Sequence, residues 1–322
     1  MIRTTSYNVW PQHAGEASRG KSLNTSNALY ERRQSNTTTQ PPYPPQTAAV
    51  GGIPTIGVDV PITSVFMGIY LCSAATNMVI FQRNRRHGHK FLISAILFGF
   101  SMARVVTCIM RIVWAVYAHN VKIALAAQIF NNAGILIVYL VNLLFAQRIL
   151  RATHPKLGWN RLLAHAFHAL YALLGGALVM VITATVVMSY TLNPDTIQSC
   201  LDCQRAAVTF LFVLTTLPLL ILVAAFLLPH SKATLEPFGA GSVKAKSLVL
   251  ATTAILATIL SGFKLGTTWE SPRPRSDPAW YDSKAAFYCF GFVLEALILA
   301  VYVAGRVDQR FHVPDGSAKR RS

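Results

Sequence analysis

Residues 206–228 read AAVTFLFVLTTLPLLILVAAFLL, a run of 23 residues without a charge. A helix crosses the ~30 Å hydrocarbon core of a bilayer in about 20 apolar residues, because each residue rises ~1.5 Å. This run is long enough to span, and Pro229 stops it, since proline cannot continue a helix. Six comparable stretches flank it, at about 60–82, 91–117, 122–146, 162–190, 247–269 and 285–304. The whole chain agrees with them. Of 322 residues, 53% are hydrophobic and 13% charged, against ~25% charged in an ordinary soluble domain. The 29 Lys+Arg against 12 Asp+Glu give a formal charge of +17. A nucleic-acid binder with that excess would be rich in charge overall, and this chain is poor in it. No series of short segments alternates with period two, which argues against a β-barrel. The expected fold is an all-α membrane protein, a bundle of seven transmembrane helices occupying 60–304.

The flanks differ in kind. Residues 1–59 are rich in Ser, Thr, Asn and Gln and contain Gln40-Pro41-Pro42-Tyr43-Pro44-Pro45. Such a composition buries too little apolar area to offset its conformational entropy, so a disordered tail is expected. Met1 to Trp10 has no apolar core of a signal peptide, leaving the first span as the targeting signal. Residues 305–322 read as a short basic tail. Positive charge sets the expected orientation. With the N-terminus outside, the inner segments hold sixteen Lys/Arg and the outer loops five, as the bias of Lys/Arg towards the cytoplasmic side requires. The tail would then be extracellular or lumenal and the C-terminus cytoplasmic. Asn24-Thr25-Ser26 and Asn36-Thr37-Thr38 match the glycosylation sequon, so Asn24 and Asn36 are possible acceptors. Plasma membrane and endomembrane stay equally open.

Four ionisable residues fall at depth in the spans: Arg104, Arg111, Lys264 and Glu295. Each costs at least ~2.5 kcal/mol at the bilayer centre, so each needs a reason to be there. Residue 104 is the midpoint of the second span, and the seventh span is centred between 294 and 295. Arg104 and Glu295 therefore share a depth, and an ion pair is expected. Arg111 and Lys264 lie in the outer half with no acidic partner evident. Polar positions in four spans each fall on one helical face: Ser94, Ser101, Arg104, Cys108 and Arg111; Gln128, Asn132, Tyr139 and Asn142; Thr253, Ser261, Lys264 and Thr268; Tyr288, Glu295 and Tyr302. Such stripes should converge on the interior. Two readings are open. The stripes glue helices together, or they line a hydrated cavity in which Arg111, Lys264, Gln128 and Asn132 bind an anionic ligand. Snorkelling of the two cations to the interface is a third.

Other features carry less. Cys200-x-x-Cys203 lacks the second pair that a zinc site needs, and a loop-bracing disulfide is possible, with Cys108 or Cys289 as other partners and Cys72 left over. Pro218 should kink its helix. His165 and His168 have no acidic or Cys partner nearby, so no metal site and no cofactor is expected. Nucleotide-binding glycine loops, H-E-x-x-H and G-x-S-x-G are absent, and no nucleophile–base pair stands out, so an enzyme is not expected. The marks of rhodopsin-like receptors are missing too, and the seventh span has no lysine for a retinal.

Several runs resemble a fungal family of seven-transmembrane proteins of unknown function, often labelled family C-like G-protein-coupled receptors. They are Asn84–Phe91 (NRRHGHKF), Leu97–Val106 (LFGFSMARVV), Arg111–Ala115 (RIVWA), Asn142–Ala152 (NLLFAQRILRA), and His154-Pro155 with Gly158-Trp159. The resemblance covers about residues 50–310. It implies a multi-pass membrane location and little about mechanism, since the receptor label rests on fold analogy. The chain departs from true family C receptors, because 59 residues cannot form their large external ligand-binding domain. The leading expectation is a receptor-like sensor whose inner loops, with Arg83, Arg85, Arg86, Arg148 and Arg151, face a cytosolic signalling protein or anionic lipid. The alternatives are a transporter or lipid-handling protein using the Arg104–Glu295 pair, and a structural membrane protein. No nucleic-acid partner is expected.

Overall fold

The computed structural model describes residues 41–44, 47–86, 91–228 and 239–311. Asn24 and Asn36 lie outside them. Seven helices are long and apolar enough to cross a membrane: α1 (Ile56–Arg86), α2 (Leu92–Val116), α3 (Val121–Thr153), α4 (Arg161–Tyr190), α5 (Pro194–Leu227), α6 (Val243–Trp269) and α7 (Lys284–Ala304). The chain is a multi-pass membrane protein. The end of the bundle where α1 begins is called here the Asp59 end, and the opposite end the Arg148 end.

The helix starts follow local chemistry more than hydropathy. Asn120, Asn160 and Asn193 cap α3, α4 and α5, each accepting from N–H groups of the first turn at 2.9–3.3 Å. Ser242 and Ser283 do the same for α6 and α7. A side-chain oxygen at this position satisfies donors that the helix itself cannot. The Asn193 cap, followed by Pro194 in the first turn, explains why α5 begins at 194 and not near 206. Its first turns are polar and lie before the apolar run that marks the span. Cys200 and Cys203 consequently stand one turn apart on a helix, and both are free. The disulfide bracing a loop is corrected on both counts.

Burial separates centre from rim. The apolar window of α3 is 56% buried and those of α1 and α4 only 17%, so α3 is the axial helix. Its Val138, Val141, Leu143, Phe145 and Ile149 have no exposed surface. Val65 and Val79 of α1, Leu173 and Val179 of α4, and Val213 and Leu220 of α5 point outward. An apolar exterior with helical backbone satisfied inside is what a bilayer demands.

Both tails are corrected in part. Residues 47–55, expected to be disordered, are pinned across the Asp59 end by backbone hydrogen bonds from Ala48 to Arg273 and from Gly51 to Asp282. At the other end, a left-handed Arg306 (φ 44°) turns the chain into a short helix, Val307–Arg310. That turn delivers Phe311 onto Phe145 in a 4.0 Å stack, with no exposed surface. The basic tail thus begins after a plug and not at residue 305.

Candidate functional site

Two charged clusters lie inside the bundle: one joins a carboxylate to two cations, the other a carboxylate to one. The first is centred on Asp59, which has no exposed surface. Its Oδ1 accepts from Arg111 Nη2 at 2.9 Å and from Tyr288 at 2.8 Å. Its Oδ2 accepts from Lys284 Nζ at 2.5 Å and from the Thr55 N–H at 2.7 Å. Because the Tyr288 proton goes to the carboxylate, Thr63 Oγ1 donates to the phenol oxygen at 2.8 Å. Arg111 also donates to the Gly51 carbonyl at 2.8 Å and lies over the Phe287 ring at 4.4 Å. A buried ion pair is tolerable when most of its donors and acceptors are satisfied in this way, and here Arg111 Nε alone of the guanidinium–carboxylate pair is buried without a partner among the described residues.

Arg111 is therefore compensated, against the expectation of an unpaired cation. Asp59 belongs to the first turn of α1 and not to a tail. The sequence did hold a signal. Positions 59, 63, 70, 74 and 77 are spaced by 4, 7, 4 and 3, one helical face, and they are the buried residues of α1.

The second cluster lies deeper. Arg104 of α2 hydrogen-bonds Glu295 of α7, and both are almost wholly buried, at 1% and 3% exposure. Its other terminal nitrogen, Nη1, donates to the Asn131 carbonyl at 2.9 Å. That carbonyl lies where α3 breaks, between segments ending at Ala133 and starting at Leu136. Thr107 Oγ1 reaches the neighbouring Phe130 carbonyl at 3.3 Å. α2 thus supplies donors where the regular ladder of α3 is interrupted. Gly134 permits it: a Cβ there would stand 3.2 Å from the Arg104 guanidinium carbon. α7 is also irregular beside its carboxylate, with a π-helical turn at Tyr288–Val293. Tyr70 of α1 donates to the Phe292 carbonyl at 3.0 Å, with Glu295 Oε2 at 3.5 Å. Such turns recur at functional sites.

Lys264 of α6 is half-buried, and its Nζ donates to Asn132 Oδ1 at 3.3 Å. Among the described residues no carboxylate lies within ion-pair distance of it. Gln128, one turn before Asn132, is half-buried and makes no hydrogen bond to another described residue. The structure thus brings Lys264 and Asn132 together, leaves Gln128 on the adjoining turn, and takes Arg111 away to Asp59.

A third polar group ties α3, α6 and α7 nearer the Arg148 end. Asn142 Oδ1 accepts from Tyr302 and from Thr253, each at 2.8 Å. At that end Arg148 is bound to the Phe311 carbonyl. Arg151 donates to the Gly158 carbonyl at 3.2 Å and stacks on Trp159 at 4.7 Å. Neither is a free loop cation, which corrects the expectation that both face a partner. Arg83, Arg85 and Arg86 remain exposed, the last two lining a shallow cavity of about 420 Å³ with Gln82.

A family model described as a protein of unknown function (DUF3112) matches residues 155–240 and 239–312. The match takes in α4 to α7, just under half of the chain. With the seven apolar helices, it fits an uncharacterised family of membrane proteins. No curated protein and no solved structure matches the chain.

Proposed function

We propose that the chain is a receptor-like membrane protein that takes an anionic group at Lys264, Asn132 and Gln128 and passes the change to the Arg104–Glu295 junction. One observation carries the reading. Lys264 is a cation within a spanning helix, and the only hydrogen-bond partner of its ammonium among the described residues is a neutral amide oxygen. An anion there would gain a charge-assisted bond in a medium of low dielectric. Asn132 bonds Lys264, and the preceding residue, Asn131, bonds Arg104. A shift of the α3 break would therefore be felt by α2, α6 and α7 together. The resemblance to receptor-labelled seven-helix proteins agrees with this, as does an orientation with the Asp59 end outside. The exposed Arg83, Arg85 and Arg86 would then meet a cytosolic signalling protein or anionic lipid.

The test is thermal-shift screening of the purified chain in nanodiscs with citrate, phosphate and short carboxylates, beside nucleotide-exchange assays on heterotrimeric G proteins. Stabilisation by one anion, lost in Lys264→Met, supports the reading. An identical response of wild type and Lys264→Met, with no G-protein exchange, sinks it. A second reading, a transporter, draws on the interruptions of α3 and α7 beside a charged pair, since broken helices form transport sites. Proton or solute flux in liposomes that vanishes in Glu295→Gln would favour it.

A further inference from the structure

Residues 47–55 (TAAVGGIPT) cross the Asp59 end of the bundle. Before them, the Tyr43 N–H donates to the Ser189 carbonyl, near the end of α4, at 2.7 Å. Thr47 bridges Pro274, and Ala48 donates to the Arg273 carbonyl at 2.9 Å, both in the connection after α6. Gly51 donates to the Asp282 carbonyl at 3.0 Å, just ahead of α7. The path thus runs from α4 past the end of α6 to α7, then enters α1 at Ile56. Lys264 lies on that side of the bundle, five residues before α6 ends at Trp269.

The segment is fitted to its seat at Gly51. That residue has φ +83°, and a Cβ on it would stand 2.6 Å from Cγ of Phe287. Phe287 in turn carries the Arg111 guanidinium at 4.4 Å. No side chain other than hydrogen fits that place or favours that backbone. Yet nothing in 47–55 is charged. If the segment lifts, Arg111 loses the Gly51 carbonyl, Lys284 loses Thr55 Oγ1 and Asp59 loses the Thr55 N–H, but both cations keep Asp59. Opening therefore breaks a few charge-assisted hydrogen bonds but separates neither cation from its carboxylate, which distinguishes a removable cover from a structural strut. Ile53, near its middle, is 45% exposed, so the apolar contacts that oppose the movement are those of Val50 and Pro54.

We propose that residues 47–55 are a tethered, autoinhibitory lid that closes the Asp59 end over Lys264, Asn132 and Gln128 and is latched by Gly51 on Arg111 and Phe287. The inference rests on reading those three residues as a site, but its test needs no ligand. A Gln128→Cys reporter is placed in a background with the five native cysteines replaced by serine, and labelling by a hydrophilic methanethiosulfonate is timed in nanodiscs. Adding Gly51→Ala unseats the lid and should raise the labelling rate tenfold or more. Equal rates overturn the lid. Where the serine background does not fold, hydrogen exchange across residues 124–135 of the native-cysteine chain makes the same comparison. Faster exchange in Gly51→Ala supports the lid, and unchanged protection overturns it. Failure here leaves an anion response at Lys264 standing, and loss of that response leaves the lid standing.

Discussion

Arg104 on α2 and Glu295 on α7 meet at the middle of the bundle, and the same guanidinium holds the Asn131 carbonyl at the break in α3. One side chain thus links three helices at a point where two of them are irregular. Removing one partner leaves the other charged and buried, at a cost of ~3–5 kcal/mol. Glu295→Gln should therefore destabilise the chain by about that amount in reversible unfolding from mixed micelles. The double variant Arg104→Met/Glu295→Leu should recover at least half of the loss, because it strands no charge. A double variant no more stable than Glu295→Gln would refute the account.

Gly134→Ala tests the close approach of α2 to α3. Alanine in place of glycine favours a helix by ~1 kcal/mol. Crowding a packed contact costs ~1–3 kcal/mol, and here the added carbon meets the Arg104 guanidinium at 3.2 Å. The steric cost should win, and the thermal midpoint should fall. The same substitution at Gly175, whose added carbon meets nothing within 4 Å, should raise the midpoint or leave it unchanged.

In the Asp59 cluster the order of effects is set by exposure. Asp59→Asn leaves Arg111, 6% exposed, beside a neutral amide, whereas Lys284 is 28% exposed and can turn to solvent. Asp59→Asn should cost about 3 kcal/mol or more, and Lys284→Met no more than about 1 kcal/mol, the scale of a partly solvated pair. Equal losses in the two variants, by chemical denaturation, would contradict this order.

Phe311→Ala should free the C-terminal plug. A fully buried Phe reduced to Ala costs ~3–5 kcal/mol, though here the short segment can detach and spare the bundle. The expected result is rapid proteolysis after residue 305 with little change in unfolding of the spans. Protection equal to wild type would show that the stack on Phe145 does not hold the segment.

Hydropathy made the seven spans legible, because crossing a bilayer imposes a length and a composition that few other folds share. The midpoint count also set Arg104 and Glu295 at one depth, since rise per residue is fixed. Helix starts were less legible. α5 begins on Asn193 and Pro194, and its polar first turns are invisible to a search for apolar runs. Asp59 was hidden for the same reason, lying one residue before the run that marked the first span.

The sequence by itself determined that this chain lives in a membrane, how many times it crosses, and which side chains are too polar to face lipid. Those are properties of single segments and depend only on local composition. Which polar groups neutralise which was decided by the tertiary structure. Arg111 turned to Asp59, Arg148 to Phe311, and Lys264 only to an amide. Partners on different helices are set by packing angle and rotation about each helix axis, and neither is written in the spacing of one helix alone.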